Sequence, residues 1–325
     1  MARDRTARAL ERIAALREAA DSAELRRELA AFLASGSGPV VAAAARVLAE
    51  HGIQSLEREL GESFARLLDA GAKGDSHCLG KRGIARALVE LRCGMTSLEV
   101  YRAGLHCVQL EPVLGGKVDT APELRSICAH GLVLANPGDL WAELAELLAD
   151  REFEARAGAV RAIAFAGNAY VGVPLLRMRV RCGDPDGRVT ADCFSALLQL
   201  DPVGSVAFVA EHLDHADSAV AEGAALAIGE SRTPDALGLL QGCLERSFDS
   251  ELQRAAYTAI SLLRSDAATD FLVREIAGAS AQRAGHAVSV LGTHRGDAKL
   301  RARIEHAVAA RSERSVRDAF RSAFD

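Results

Sequence analysis

Laid against itself, the second half of the chain shows one apolar pattern seven times. The segments LRSICAHGL, ARAGAVRAI, VTADCFSAL, VAEGAALAI, LQRAAYTAI, QRAGHAVSV and VRDAFRSAF end on Leu132, Ile163, Leu197, Ile228, Ile260, Val290 and Phe324, at intervals of 31, 34, 31, 32, 30 and 34 residues. The residue before each of these is small: Gly131, Ala162, Ala196, Ala227, Ala259, Ser289 and Ala323. On a helix, a small residue beside a large one lets a neighbouring helix come close while the large side chain fills the remaining space. Between these segments, SVAFVAEHL, DALGLLQGCLE and TDFLVREIAG space their apolar residues by threes and fours, which is helical rather than strand periodicity. The connecting stretches CGDPDG, LDPVGS, SRTPDA and LRSDAA carry the Pro, Gly, Asp and Ser that stop or cap helices. Each unit is thus a helix pair too short to bury its own apolar face, and it needs neighbours above and below. The predicted fold is all-α: a right-handed α-solenoid of stacked antiparallel helix pairs.

Seven residues before each anchor stand Arg125, Arg156, Thr190, Ala221, Gln253, Arg283 and Arg317, and Asp150 and Asp184 lie six residues before Arg156 and Thr190. An aspartate in the turn and an arginine early in the second helix resemble the HEAT-repeat family, over roughly residues 119–325. The resemblance implies bonds between these side chains along the stack, with Thr190, Ala221 and Gln253 breaking the arginine ladder. Upstream the pattern loosens. PVVAAAARVLAEHG ends a repeat at Leu48 and GIARALVELRCG another near Leu88, but the intervals lengthen to 40 residues and more. Residues 1–34 read as two amphipathic helices, the first closing the exposed end of the stack. LEPVLGGKVDTAPE is the one loop long enough for a hinge or a binding feature. The expected organisation is therefore 1–118 with irregular repeats and capping helices, continuous with 119–325 with regular ones.

Composition narrows the function. Hydrophobic residues make up 49% of the chain and aromatics 4%, so alanine, leucine and valine fill the core. A formal charge of −5 argues against a protein built to grip nucleic acid or an anionic membrane. Charge is uneven: 201–250 holds nine acidic and two basic residues, whereas 281–325 holds nine basic and five acidic. The seven cysteines show no paired short spacing, which suits free thiols in a reducing cytoplasm. No segment has the character of an export signal or a membrane span.

Candidate chemistry concentrates in GDSHCLGKRG, Gly74 to Gly83. A phosphate loop needs four residues between its glycines and a hydroxyl after the lysine. Here five residues separate Gly74 from Gly80 and Arg82 takes the hydroxyl position, so the stretch reads as an inter-helix turn in which Asp75 or Ser76 caps the next helix. Cys78 beside Lys81 and Arg82 has the setting of a reactive thiol. With no second catalytic group placed by a motif, it reads as a half-buried thiol at a helix start. His77, Cys78, Cys93, His106, Cys107, Cys128 and His130 are metal-capable types that stacked helices could bring together, without any chelating spacing. EHLDH (His212, His215) lacks the zincin order. Three enzyme classes are built on similar helical stacks. Deoxyhypusine hydroxylases use His-Glu pairs, whereas this chain has Glu50-His51, Glu211-His212 and Glu305-His306. Alkylpurine DNA glycosylases need a basic aromatic groove, and this chain has one tryptophan, Trp141. For phycobilin lyases the likeness is of fold alone. In the run Arg177, Arg179 and Arg181, only Arg177 and Arg181 share a helix face.

The resulting expectation is a non-catalytic scaffold or adaptor that binds another protein on the concave face, with no cofactor, no metal, no nucleic acid and no membrane insertion. With Ile163 and Leu197 turned to the core, Arg161 (with Glu154), Arg188, Asp192, Ser195 and Gln199 take the opposite helix faces and are the candidate contacts. Two alternatives accompany it: an enzyme or enzyme subunit with a metal or thiol site within 71–130, and a nucleic-acid-binding relative whose affinity falls as salt rises.

Overall fold

The structure, a computed structural model, describes residues 2–324. Its internal contacts divide it into two units, one ending at Gly167 and one beginning at Asn168.

The first unit contains α1 (Ala2–Leu16), α2 (Ala23–Leu33), α3 (Gly38–Glu50), α4 (Glu57–Gly74), α5 (Leu79–Glu90), α6 (Leu98–Leu105), the strands β1 (Leu110–Val113) and β2 (Gly116–Asp119), then α7 (Pro122–Ala135), α8 (Leu140–Leu147) and α9 (Phe153–Ala166). The second contains α10 (Ala169–Cys182), α11 (Gly187–Leu200), α12 (Pro202–Ala210), α13 (Ser218–Ser231), α14 (Ala236–Arg246), α15 (Ser250–Leu262), α16 (Asp266–Gly278), α17 (Ala281–Leu291), α18 (Ala298–Ala309) and α19 (Arg314–Phe324). The fold is an all-α solenoid of stacked helix pairs. All seven anchor segments fall on the odd-numbered helices α7 to α19.

Within each unit the odd-numbered helices pack on one another as a close layer, α3 on α5 on α7 on α9, and α11 on α13 on α15 on α17 on α19. The even-numbered helices back this layer more loosely. Small residues explain the closeness, at positions other than the one before each anchor. A Cβ placed on Gly229 of α13 would lie 2.6 Å from the Cα of Ala259 on α15, and one on Gly158 of α9 would lie 2.6 Å from the Cα of Ser126 on α7. Beside them Ile163, Leu197, Ile228 and Ile260 are fully buried.

Turn chemistry works as its residues dictate. Asp201 caps α12 through the Gly204 amide at 2.9 Å, Asp249 caps α15 through Glu251 at 2.7 Å, and Ser265 caps α16 through Ala268 at 3.2 Å. Such caps contribute about 1 kcal/mol each. In three repeats the side chain seven residues before the anchor donates to carbonyls of the turn that precedes its own helix, whereas Arg283 bonds to Tyr257 and Glu275 instead. Arg156 donates to the carbonyls of Asp150 and Arg151, both at 2.9 Å, and Arg317 to those of Arg311 and Ser312. Gln253, a break in the arginine ladder, does the same job, donating to Ser247 O at 2.7 Å. Along the stack, Asp150 pairs at 2.9 Å with Arg125 of α7. Asp184 pairs instead with Arg179 of α10 and caps the Asp186 amide.

The lengthened interval from Leu88 to Leu132 has a cause that periodicity does not announce, whereas that from Leu48 to Leu88 holds the 18-residue α4 and short 3-10 turns. LEPVLGGKVDTAPE is an antiparallel hairpin, Leu110 opposite Asp119 and Val113 opposite Gly116, inserted between α6 and α7. Met1, the first residue of the expected capping segment, lies outside the described residues; the rest forms α1 and α2, as its amphipathic pattern predicts.

Candidate functional site

Two places carry the chemistry that the residues foreshadow. The first is the stretch from Gly74 to Gly83. It is no phosphate loop: Gly80, Lys81 and Gly83 lie inside α5, and a short 3-10 turn, Ser76–Cys78, precedes that helix. Asp75 caps α5, its Oδ1 accepting from the Gly80 amide at 2.6 Å and its Oδ2 from the Lys81 amide at 3.0 Å. The Lys81 ammonium turns inward beneath it. It lies 3.3 Å from Asp75 Oδ2, donates to Gln109 Oε1 at 2.9 Å and reaches the Leu67 carbonyl at 3.4 Å. Both charged side chains are 0% exposed.

Gln109 continues the network into the hairpin. Its Nε2 donates to Asp75 O at 2.9 Å and to Glu111 Oε1 at 2.8 Å. Glu111 also accepts from Ser76 Oγ at 2.8 Å, the His77 amide at 2.6 Å and Thr120 Oγ1 at 2.7 Å. Burial pushes this carboxyl upward, but the hydrogen bonds from Thr120, Gln109, Ser76 and His77 prevail and hold it down at about 2. His77 and Cys78 both sit in the left-handed region, with φ of 55° and 53°. That conformation costs non-glycine residues on the order of 1 kcal/mol or more each, and the Glu111 bond to the His77 amide holds it in place.

The thiols behave differently from the simplest expectation. Cys78 is wholly buried rather than half-buried, and its thiol is pushed up because it donates to Cys107 and is desolvated, against the pull of Lys81. Cys107 is the thiol held low: the Cys78 S–H bonds to it, and the Lys81 and Arg125 cations attract its charge, against its own burial. All seven cysteines are free. Among the described residues, no group of three or more His, Cys, Asp or Glu side chains gathers in a way that could hold a metal. Every member of the Asp75, Lys81 and Glu111 network is hydrogen-bonded, and the network's evident work is to fix the hairpin and the left-handed turn onto α4 and α5.

The second place is the exposed face of the odd-numbered helices. In the first unit, the residues two before the successive anchors Leu48, Leu88, Leu132 and Ile163 are Arg46, Arg86, His130 and Arg161. Arg46, Arg86 and Arg161 are exposed and His130 is half-buried. Arg86 and Arg82 share the carboxylate of Glu123, and Arg161 lies 3.3 Å from Glu154. Apolar side chains open between them: Leu79, Phe153 and Phe165 are 39%, 38% and 51% exposed. Hollows of about 430 Å³ and 590 Å³ on this face are lined by Arg46, Arg82 and Arg86, and by His77, Arg82 and Phe153. Burial, with Arg161 nearby, lowers the His130 pKa and favours its neutral form.

In the second unit, Arg188, Ser195 and Gln199 are exposed on α11 and Asp192 is half-buried on the same face. Arg188 pairs at 2.6 Å with Asp186, the cap of its own helix. Arg161 therefore belongs to the first unit and the other four candidates to the second. Arg177 and Arg181 do share a face, and both guanidinium groups cover the ring of Phe208, at 5.2 and 5.6 Å. His212 packs against Phe194 and Phe208, its Nδ1 3.0 Å from the Phe208 carbonyl, which accounts for the histidine of EHLDH by packing.

Stacked helix pairs joined by turns define an α-solenoid. Residues 206–292 match the family model described as HEAT repeats. Among solved structures, it is similar to the complex of CpcE and CpcF of phycocyanin lyase from Nostoc sp. PCC7120, at 18% identity and a TM-score of 0.40, covering 75% of this chain and 93% of that one. It is also similar to an engineered protein, at 16% identity and a TM-score of 0.37, covering 97% and 98%. No curated protein sequence matches it. No helix among the described residues is long and apolar enough to cross a membrane.

Proposed function

We propose that the chain is a non-catalytic scaffold or adaptor that holds another protein against the exposed face of its odd-numbered helices. The observation that supports this most directly is the register of that face: Arg46, Arg86, His130 and Arg161 recur at one repeat position, with exposed apolar side chains between them. Side chains repeated at the helix-to-helix spacing suit an extended polypeptide, which offers its own groups at regular intervals. We take the close layer as the concave side of the first unit. The free, mostly buried thiols fit a reducing compartment such as the cytoplasm.

Arg161, Arg188, Asp192, Ser195 and Gln199 are the proposed contacts. The test is affinity capture of partners from native cell extract with the intact chain and with a variant carrying Arg161→Glu, Arg188→Glu and Asp192→Lys. Thermal unfolding by circular dichroism establishes that the variant remains folded. Loss of specific partners by the folded variant supports the reading, and an unchanged set of partners sinks it.

A further inference from the structure

The first unit carries a second recessed surface, on the layer opposite the one just discussed. Helices α4 and α6 are successive members of the loose layer and barely touch along their lengths. The residue that would bring them together is absent: a Cβ on Gly61 of α4 would meet only Val100 Cγ2 of α6, at 3.8 Å. Between the two helices runs a furrow of about 670 Å³. Its floor is apolar and low, built from Gly61, Phe64, Ala65, Leu68, Val100 and Ala103.

The rim is acidic. Glu57, Glu62 and Glu99 line the furrow against one cation, Arg58. Arg58 is drawn along its own helix, 3.3 Å from Glu59 and 3.9 Å from Glu62, and it is 79% exposed. Glu57 accepts from the hydroxyls of Thr96 and Ser97, both at 2.5 Å, which fixes its carboxylate at one end of the furrow. Glu99 has no ion-pair partner among the described residues. Met95, next in the chain to Thr96 of the lining, is 61% exposed, and methionine is a side chain that adapts to whatever packs on it.

A trough between two helices, its apolar floor kept low by Gly61, Ala65 and Ala103, admits a third helix at close range. The surplus of carboxylates selects its charge. We propose that the furrow between α4 and α6 is a docking site for a helix of another protein, apolar along one stripe and rich in lysine or arginine on the flanks of that stripe. The apolar stripe lies over Ala65, Val100 and Ala103, and the flanking cations meet Glu57, Glu62 and Glu99. This site is on the even-numbered layer and stands or falls independently of the scaffold reading above.

The probes are two fluorescein-labelled helical peptides of about 18 residues, long enough to hold a helix. Both carry leucine at the i, i+3, i+4 and i+7 positions, one with lysine elsewhere and one with glutamate. Fluorescence anisotropy against the full chain should show the lysine peptide binding at least about tenfold more tightly than the glutamate peptide. Ala65→Arg, an exposed and helix-compatible change, fills the furrow and should weaken the lysine peptide by about tenfold or more. Glu62→Lys with Glu99→Lys should invert the preference between the peptides. Ala142→Arg adds the same charge at an exposed position of α8, outside the furrow lining, and should leave affinity unchanged. Equal binding of both peptides, no binding of either, or an Ala65→Arg variant indistinguishable from the parent would overturn the proposal. So would sedimentation showing a dimer of the free chain that Ala65→Arg dissolves, because the occupant would then be a second copy.

Discussion

Replacing Lys81 by methionine isolates the energetic role of the buried ion pair. The substitution keeps the length and apolar stem of the side chain and removes the ammonium. The Asp75 carboxylate, 0% exposed, is then left with the Gly80 and Lys81 amides and no counter-charge. Gln109 Oε1 loses the donor it had at 2.9 Å. A buried charge deprived of its partner costs about 3–5 kcal/mol, and an orphaned amide oxygen about 1–3 kcal/mol. The two costs overlap because one ammonium serves both, so about 4 kcal/mol is expected for the first unit. Trp141, the chain's one tryptophan, lies on α8 of that unit, so urea unfolding followed by its fluorescence reads the right region. With a slope of about 2 kcal/mol per molar, the midpoint should fall by about 2 M. Adding Asp75→Asn to Lys81→Met should recover part of the loss, because a neutral amide needs no counter-ion and its oxygen still accepts from the Gly80 amide. A single-variant cost below about 1 kcal/mol, or a double variant weaker than the single, would refute the reasoning.

Three further outcomes follow from other observations. Gly229→Ala should lower the stability of the second unit by about 1–3 kcal/mol, since its Cβ would press on the α15 backbone. Gly61→Ala, which meets only Val100, should be neutral or stabilising by up to about 1 kcal/mol; thermal unfolding compares the two. The Glu111 carboxyl sits at about 2 in the folded protein, below its value of about 4.3 in an unfolded chain. Its contribution to stability is therefore complete above pH about 4.3 and lost as pH falls toward about 2, and Glu111→Gln should flatten that segment of the acid-unfolding curve. Because Cys107 is held low by Cys78, Lys81 and Arg125, its thiolate absorbance near 240 nm should appear at lower pH than that of a free cysteine. Cys107→Ser should abolish that early phase, and Lys81→Met should move it to higher pH.

How much of this was legible in the sequence depended on whether a feature repeats. The anchors from Leu132 to Phe324 recur because each helix meets the same neighbour geometry, so periodicity reveals the helices, whereas Gly158 and Gly229, which let neighbouring helices approach, stand outside the repeated small position. Asp75 was readable as a cap because capping is local chemistry. The hairpin was not legible as strands: four residues a side is too short for alternation to stand out, and Glu111 points into the protein from a segment whose other strand positions are mostly exposed. Lys81 was unreadable as a buried cation, since its partners Gln109 and Leu67 lie 28 and 14 residues away. The exposed positions Arg161, Arg188, Ser195 and Gln199 followed from helix geometry alone once Ile163 and Leu197 were set inward. The α4 to α6 furrow carries no sequence signal, because it is made by what two distant segments fail to fill.

The side chains of Arg156, Gln253 and Arg317 each fasten the turn immediately ahead of their own helix. The fastening is thus encoded inside the same stretch of gene as the layer it secures. A duplication or deletion spanning one helix pair copies or removes a complete joint and leaves the joints on either side closed. In such a lineage, length is the property most readily altered by recombination, while the identity of any one rung can drift between arginine and glutamine.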